Sequence, residues 1–208
     1  VTARPPVPYV TAWSGEDRRT APVVICRAND RGIGYPHENP QERDTMGVLW
    51  ARRPLRQGNG RPRYGHVHPQ RQRRAMHRLL CQVCAAPAYE DEHGTLFLLE
   101  DHRDVPGWPE EEVTAHPPLC LQCAAMSPEW CPHLRRTGAV AVQVQHPDID
   151  GVHGLMYRRE GRLAVPGEAV TVPYDDPAVR WVLAAHLTRV LRGCTVVQPE
   201  EIAERLST

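Results

Sequence analysis

At 208 residues with 21 prolines and 15 glycines, the chain suits one ordinary domain or two small ones, built from short elements and turns rather than a helical bundle. All 25 basic residues are arginine, and the lack of lysine excludes a Schiff-base enzyme and a Walker-type phosphate loop, each of which needs a lysine amine. The formal net charge is zero, yet residues 45–89 hold nine arginines and no carboxylate, while residues 90–112 hold nine carboxylates and only Arg103. Either the two blocks neutralise one another in the fold, or the basic block faces a polyanion.

Seven cysteines, four of them in two Cys-x-x-Cys pairs, fit metal binding in a reducing cytoplasm better than a disulfide framework. The first thirty residues hold no continuous apolar run of the kind a signal peptide uses, and no window approaches the roughly 20 apolar residues of a membrane span. A cytoplasmic protein without membrane contact is expected.

In chain order, residues 1–20 begin with a proline-rich tail that cannot form helix, and residues 9–13 suit an edge strand. PVVICR at 22–27 reads as a short buried strand with Cys26 as a small core residue, and residues 28–44 read as loop. Residues 46–51 offer another strand. RRPLRQGNGRPRYG at 52–65 is expected to be a mobile basic loop with a turn at 58–60, and Arg61 and Arg63 lie in it. His66 and His68 stand two apart, so an extended backbone points both to one side, as ordinary surface or as two ligands of one metal.

Residues 69–80 predict a helix with proline in its first turn. At 100° per residue Met76, Leu79, Leu80 and Val83 cluster on one face, and Arg71, Arg74 and Arg78 on the other. The apolar face is expected to lie on the metal module. That leaves three guanidinium groups outward, either solvated or matched to the phosphate oxygens of DNA or RNA.

CQVC at 81–84 is followed by thirty-five residues and then CLQC at 120–123. Two such knuckles supply four thiolates, Cys81, Cys84, Cys120 and Cys123, enough to close a tetrahedral zinc site with no position left for substrate. Zinc is therefore the expected cofactor, in a structural role. Between the knuckles AYEDEHGTLFLLEDH reads as a hairpin turning at Gly94 into a strand over 95–99. The prolines before Cys120 fit a helix start, where free backbone N–H groups can hydrogen-bond thiolates, and Pro128 is expected to end that helix. EWCPHL at 129–134 adds Cys131 and His133. These are a turn with a buried cysteine and an exposed histidine or, with His66 and His68, the ligands of a second metal site.

The order helix, knuckle, hairpin, second knuckle opening a helix resembles the treble-clef zinc fold over residues 69–127. Within that fold it is similar to the HNH nuclease family, in which the strand ends in Asp-His; here Asp101 and His102 follow LFLLE. The resemblance implies His102 as a general base activating water and Asp101 as a contributor to a catalytic divalent metal. The chain departs from the family where Ala124, Ala125 and Met126 stand in place of its helix histidine, and no asparagine lies between His102 and Cys120. An inactive relative using the scaffold for binding is the alternative. In its arginine-for-lysine bias and many prolines, the chain is similar in style to proteins of high-GC actinobacteria.

Beyond Arg136 the stretches 139–145, 151–160 and 169–174 predict a small antiparallel sheet. Asp176 followed by Pro177 is a helix start, and an amphipathic helix is expected to run to Arg192 and stop at Gly193. Val179, Val182, Leu183, Leu187 and Val190 form its buried face with His186 as a core histidine. Trp181 points the other way, toward another segment or a partner. A strand at 195–197 and a last helix at 199–206 close the chain, with Cys194 structural.

The expected fold is α+β: an N-terminal arm with short strands and a basic loop (1–63), a treble-clef-like zinc module (64–136), and a C-terminal domain with a small antiparallel sheet and one long amphipathic helix (137–208). Three functions fit this layout. The first is a zinc-stabilised binding protein contacting nucleic acid through Arg61, Arg63, Arg71, Arg74 and Arg78. The second is an HNH-like endonuclease built on Asp101 and His102. The third is an accessory protein whose acidic block and Trp181 meet a protein partner. A binding role is favoured over an enzymatic one.

Overall fold

The computed structural model describes residues 6–17, 21–26 and 32–207. The expectations for the first five residues of the tail and for the loop at 27–31 lie outside the described residues. The strands are β1 (Thr11–Trp13), β2 (Val24–Ile25), β3 (Ile33–Gly34), β4 (Leu49–Trp50), β5 (Pro62–Val67), β6 (Glu90–Asp91), β7 (Gly94–Leu99), β8 (Val113–Thr114), β9 (Val140–Glu160), β10 (Leu163–Pro173) and β11 (Val182–Val197). The helices are α1 (Pro69–Arg78), α2 (Leu121–Trp130), α3 (Pro132–Thr137) and α4 (Pro199–Leu206). Seven of the strands form a mixed sheet, and the fold is mixed α/β. Among the described residues no helix is long and apolar enough to cross a membrane.

The chain divides into two compact units, each discontinuous in sequence. This division cuts across the three consecutive segments 1–63, 64–136 and 137–208. The physical reason is the length of β9 and β11, each of which gives one half to each unit.

The first unit takes Val1–Val10, Arg71–Ile149 and Arg189–Thr208. β6 and β7 form the expected hairpin, pairing Glu90 with Thr95 and Asp91 with Gly94. Gly94 has φ +106, and a Cβ there would come within 2.2 Å of the Val144 carbonyl oxygen, so the turn requires glycine. β7 pairs antiparallel with the first half of β9, from Thr95 opposite Val144 to Leu99 opposite Val140. Both strands are apolar nearly throughout because both faces are covered. One face packs Leu96, Leu98, Ala141, Val197 and Ile202 around Leu119; the other packs Phe97, Leu99, Val142 and Val144 around Leu191. α4 begins at Pro199 as expected, and the Glu201 carboxylate accepts the Gln198 N–H at 3.0 Å.

The second unit takes Thr11–Gln70 and Asp150–Thr188. β1 and β5 form an antiparallel ribbon, β4 lies parallel to the start of β11, and β10 pairs antiparallel with the second half of β9. Ile33, Tyr35, Leu49 and Tyr157 form its core. Asp44 organises the expected loop, accepting Trp50 Nε1–H at 2.9 Å, the Tyr174 hydroxyl at 2.8 Å and the Met46 and Val48 N–H groups.

The long amphipathic helix expected over 176–192 is a strand. Asp176 does cap, accepting the Ala178 N–H at 2.8 Å, but the turn it opens is a 3₁₀ segment ending at Trp181. β11 then runs through Gly193 to Val197. Its apolar residues recur at helical spacing because a strand covered on both faces is apolar at nearly every position, and periodicity cannot separate the two cases. The separate strands expected at 139–145 and 151–160 are one strand, β9. Pro128 does not end its helix; α2 continues to Trp130.

Candidate metal centre

The first knuckle hangs from the end of α1. Leu79 turns the chain with φ +48, and the Leu80 N–H closes on the Ala75 carbonyl at 2.9 Å. The chain then folds tightly, with Cys81 N–H donating to Ala86 O at 2.7 Å and Ala85 N–H to Cys81 O at 2.9 Å. This loop aims backbone N–H groups at sulfur: those of Val83 and Cys84 donate to Cys81 Sγ, and that of Ala86 to Cys84 Sγ. The second knuckle is held at Leu119, whose N–H donates to Leu96 O and whose carbonyl accepts the Tyr89 N–H, both at 2.9 Å. Cys120 is the N-cap of α2 and its N–H also reaches Cys81 Sγ; Cys123 lies in the first turn. The helix start thus contributes one N–H, that of Cys120, to the sulfur cluster, and the first-knuckle loop contributes the others.

One ligand atom from each of Cys81, Cys84, Cys120 and Cys123 lies within 4.8 Å of all the others. Cys84 Sγ and Cys120 Sγ are 3.7 Å apart, too far for a disulfide, and all four cysteines are free. A tetrahedral tetrathiolate with metal–sulfur bonds of about 2.3 Å has sulfur–sulfur edges of about 3.8 Å, so the cluster has the size of a single-ion site. Cys81 and Cys123 are buried on the apolar core beside Leu119 and Ala124, while Cys84 is exposed. Burial pushes the Cys81 thiol up to about 11 against three backbone N–H donors. Burial and the neighbouring sulfurs push Cys123 up as well. Cys84 is also opposed by burial, but the Ala86 N–H and the three other cysteines bring it below its ordinary value. Four thiolates this close repel one another, and a bound cation is what allows all four to ionise.

Among the described residues this is the one group of three or more such ligands. His66 and His68 lie in the second unit, Cys131 and His133 in the first. His66 is exposed on β5, whereas His68 is fully buried. Its Nε2 lies 3.1 Å from Pro54 O and 3.8 Å from the buried Glu16 carboxylate. That carboxylate also accepts the N–H groups of Trp13 at 2.9 Å and Arg56 at 3.0 Å. The loop at 52–61 is thereby pinned rather than free. Cys131 is the N-cap of α3, and His133 Nε2 lies 3.5 Å from Glu100.

Asp101 and His102 follow β7 where expected. Arg103 grips the Asp101 carboxylate with Nε at 2.9 Å and Nη2 at 2.6 Å, holding the carboxyl down at about 2. His102 meets the Trp108 ring edge-on, 6.3 Å between centroids.

The arginines divide. Arg71, expected on the outer face of α1, is 3 % exposed. It lies only about 40° around the helix from the buried Ala75, so it joins the buried strip of Gln72, Ala75 and Met76. Arg74 and Arg78 are exposed, Arg74 Nη1 donating to the Tyr9 hydroxyl at 3.1 Å. Arg52 forks onto Glu42, and Arg63 pairs with Asp17. Arg56 and Arg61 are exposed, and among the described residues neither guanidinium has a carboxylate partner. The acidic block bonds elsewhere: Asp101 to Arg103, Asp91 to Arg205, Glu111 to Arg192, and Glu110 to the N–H groups of Gly193 and Cys194. Trp181 packs partly buried on the second unit's core, covered by other segments of the chain.

Tyr64 and Gly65 lie between Arg63 and His66. Their signal was an aromatic residue interleaved with basic ones. No family model, curated protein or solved structure matches the chain.

Proposed function

We propose that the protein is a zinc-stabilised, treble-clef-like binding protein that contacts nucleic acid through the arginine-bearing loop at 52–61 that leads into β5. The donor set supports zinc: four thiolates of tetrahedral size, two of them set in apolar surroundings. Four protein ligands leave no open coordination position, so the metal cross-links two distant segments and takes no part in a reaction. The order of knuckle, hairpin, knuckle and helix supports the treble-clef reading.

The observation that carries the nucleic-acid reading is the fate of the charges. Asp91, Asp101, Glu110 and Glu111 of the acidic block are bonded within their own unit, while Arg56 and Arg61 remain exposed in a stretch free of carboxylates. Guanidinium groups so presented match phosphate oxygens. The nuclease alternative has less support, because the Arg103 fork occupies the carboxylate that a catalytic metal would need. The accessory-protein alternative loses Trp181 as an exposed anchor.

The test is fluorescence anisotropy with labelled oligonucleotides at 50 and 200 mM salt. Two or three neutralised phosphates give a slope of about −2 in log K against log salt, roughly 16-fold weaker binding over that range. Replacing Arg56 and Arg61 with glutamine should flatten the slope. Absence of binding at 50 mM salt refutes the reading.

A further inference from the structure

The β1–β5 ribbon is irregular where it is most exposed. Thr11 lies opposite Val67, yet the next residue, Ala12, lies opposite Arg63. Tyr64, Gly65 and His66 are therefore extra residues in β5 with no counterpart in β1. A bulge of this kind bends its strand and re-aims the side chains it carries. Here it presents them to solvent: Tyr64 is 60 % exposed, and Gly65 and His66 are exposed beside it.

Gly65 sits inside the bulge, a usual place for glycine within a strand, and leaves open space beside Tyr64. Its φ lies outside the left-handed region, and a Cβ there would meet no described atom within 4 Å. With no side chain and no neighbour within 4 Å, the backbone beside Tyr64 is open to a ligand's close approach. Arg61 and Arg63 stand on one side of this opening in sequence, Arg63 bonded to Asp17 and Arg61 exposed.

We propose that the Tyr64–Gly65–His66 bulge is a stacking platform for an unpaired base of single-stranded nucleic acid, with Arg61 and Arg56 on the adjoining phosphates. This rests on the nucleic-acid reading above and narrows it from polyanion to single strand. An exposed aromatic ring uses its face, and a base offers its own face only when it is not enclosed in a duplex. A bare guanidinium patch has no use for Tyr64 or for the open approach at Gly65; a stacked base uses both. Stacking is shared by RNA and DNA, so the occupant is defined by its unpaired bases.

The experiment is anisotropy at 50 mM salt with three labelled probes: twelve-residue oligo-U, twelve-residue oligo-dT and a twelve-base-pair DNA duplex. Either or both single strands should bind at least tenfold more tightly than the duplex. Tyr64→Ala should weaken single-strand binding roughly tenfold, within the range known for loss of one base–aromatic stack, while leaving the salt slope unchanged. Gly65→Val should weaken it as well by closing the approach. Both changes fall on exposed positions, so thermal melting should match that of the parent protein. Equal or tighter duplex binding, or single-strand binding indifferent to both variants, overturns the platform while leaving the nucleic-acid reading intact. Failure of all three probes to bind overturns both.

Discussion

Leu119→Ala would test whether the second knuckle is clamped by packing. Leu119 is fully buried among Leu96, Leu98, Ala124, Ala141, Val197 and Ile202. Its backbone cannot follow the shortened side chain inward, because its N–H is fixed to Leu96 O and its carbonyl to the Tyr89 N–H, each at 2.9 Å. Leucine-to-alanine costs rise with the cavity left behind, and this site is held on two sides, so the loss should be about 3–4 kcal/mol. For a chain of this length that is a fall in Tm of roughly 10 °C. Urea melts of the metal-loaded protein, followed by tryptophan fluorescence, give the same quantity as a lower midpoint at unchanged slope. The adjoining Cys120 and Cys123 should also lose preorganisation, so a chelator should strip the metal from the variant at lower concentration. An unfolding free energy within 1 kcal/mol of the parent's would refute the clamp.

Two further outcomes follow from buried groups in the first unit. Arg189 donates to the Met76 carbonyl through Nε at 3.1 Å and Nη2 at 2.6 Å and to Pro147 O through Nη1, and burial lowers its pKa. Arg189→Ala leaves both carbonyls without this donor and should cost about 2–4 kcal/mol in urea melts; a change under 0.5 kcal/mol would remove the strut. Metal affinity should fall steeply with acid. Burial holds Cys81 up at about 11 and Cys123 higher than usual, so near neutral pH both are protonated without metal and both protons leave when it binds. The apparent affinity should then drop at least 100-fold per pH unit between pH 8 and 6, measured by chelator competition; a pH-independent affinity would contradict that burial.

How much of this was legible in the sequence depended on whether the cause was local. The two knuckles were readable because Cys-x-x-Cys spacing fixes what each pair can do, and Gly94 because its turn demands φ +106. The last helix was readable from Pro199 and the acidic residues after it. β11 was not, since burial on both faces comes from neighbouring strands and gives the same apolar spacing as a helix. A helical wheel marks angle but not the width of the covering core, so Arg71 is buried where the wheel places it outward. The Tyr64–His66 bulge was invisible for a similar reason: it exists only in the register between β5 and a segment fifty residues earlier. The pairing of the acidic block with Arg192 and Arg205 likewise depends on which strand and helix ends meet.

The most direct measurement is the metal content of the purified protein, by native mass spectrometry alongside elemental analysis. One zinc ion per chain is predicted, together with protection of Cys81, Cys84, Cys120 and Cys123 from thiol reagents until a chelator is added. A native chain that carries no metal and in which the exposed Cys84 reacts at once would contradict the four-thiolate centre.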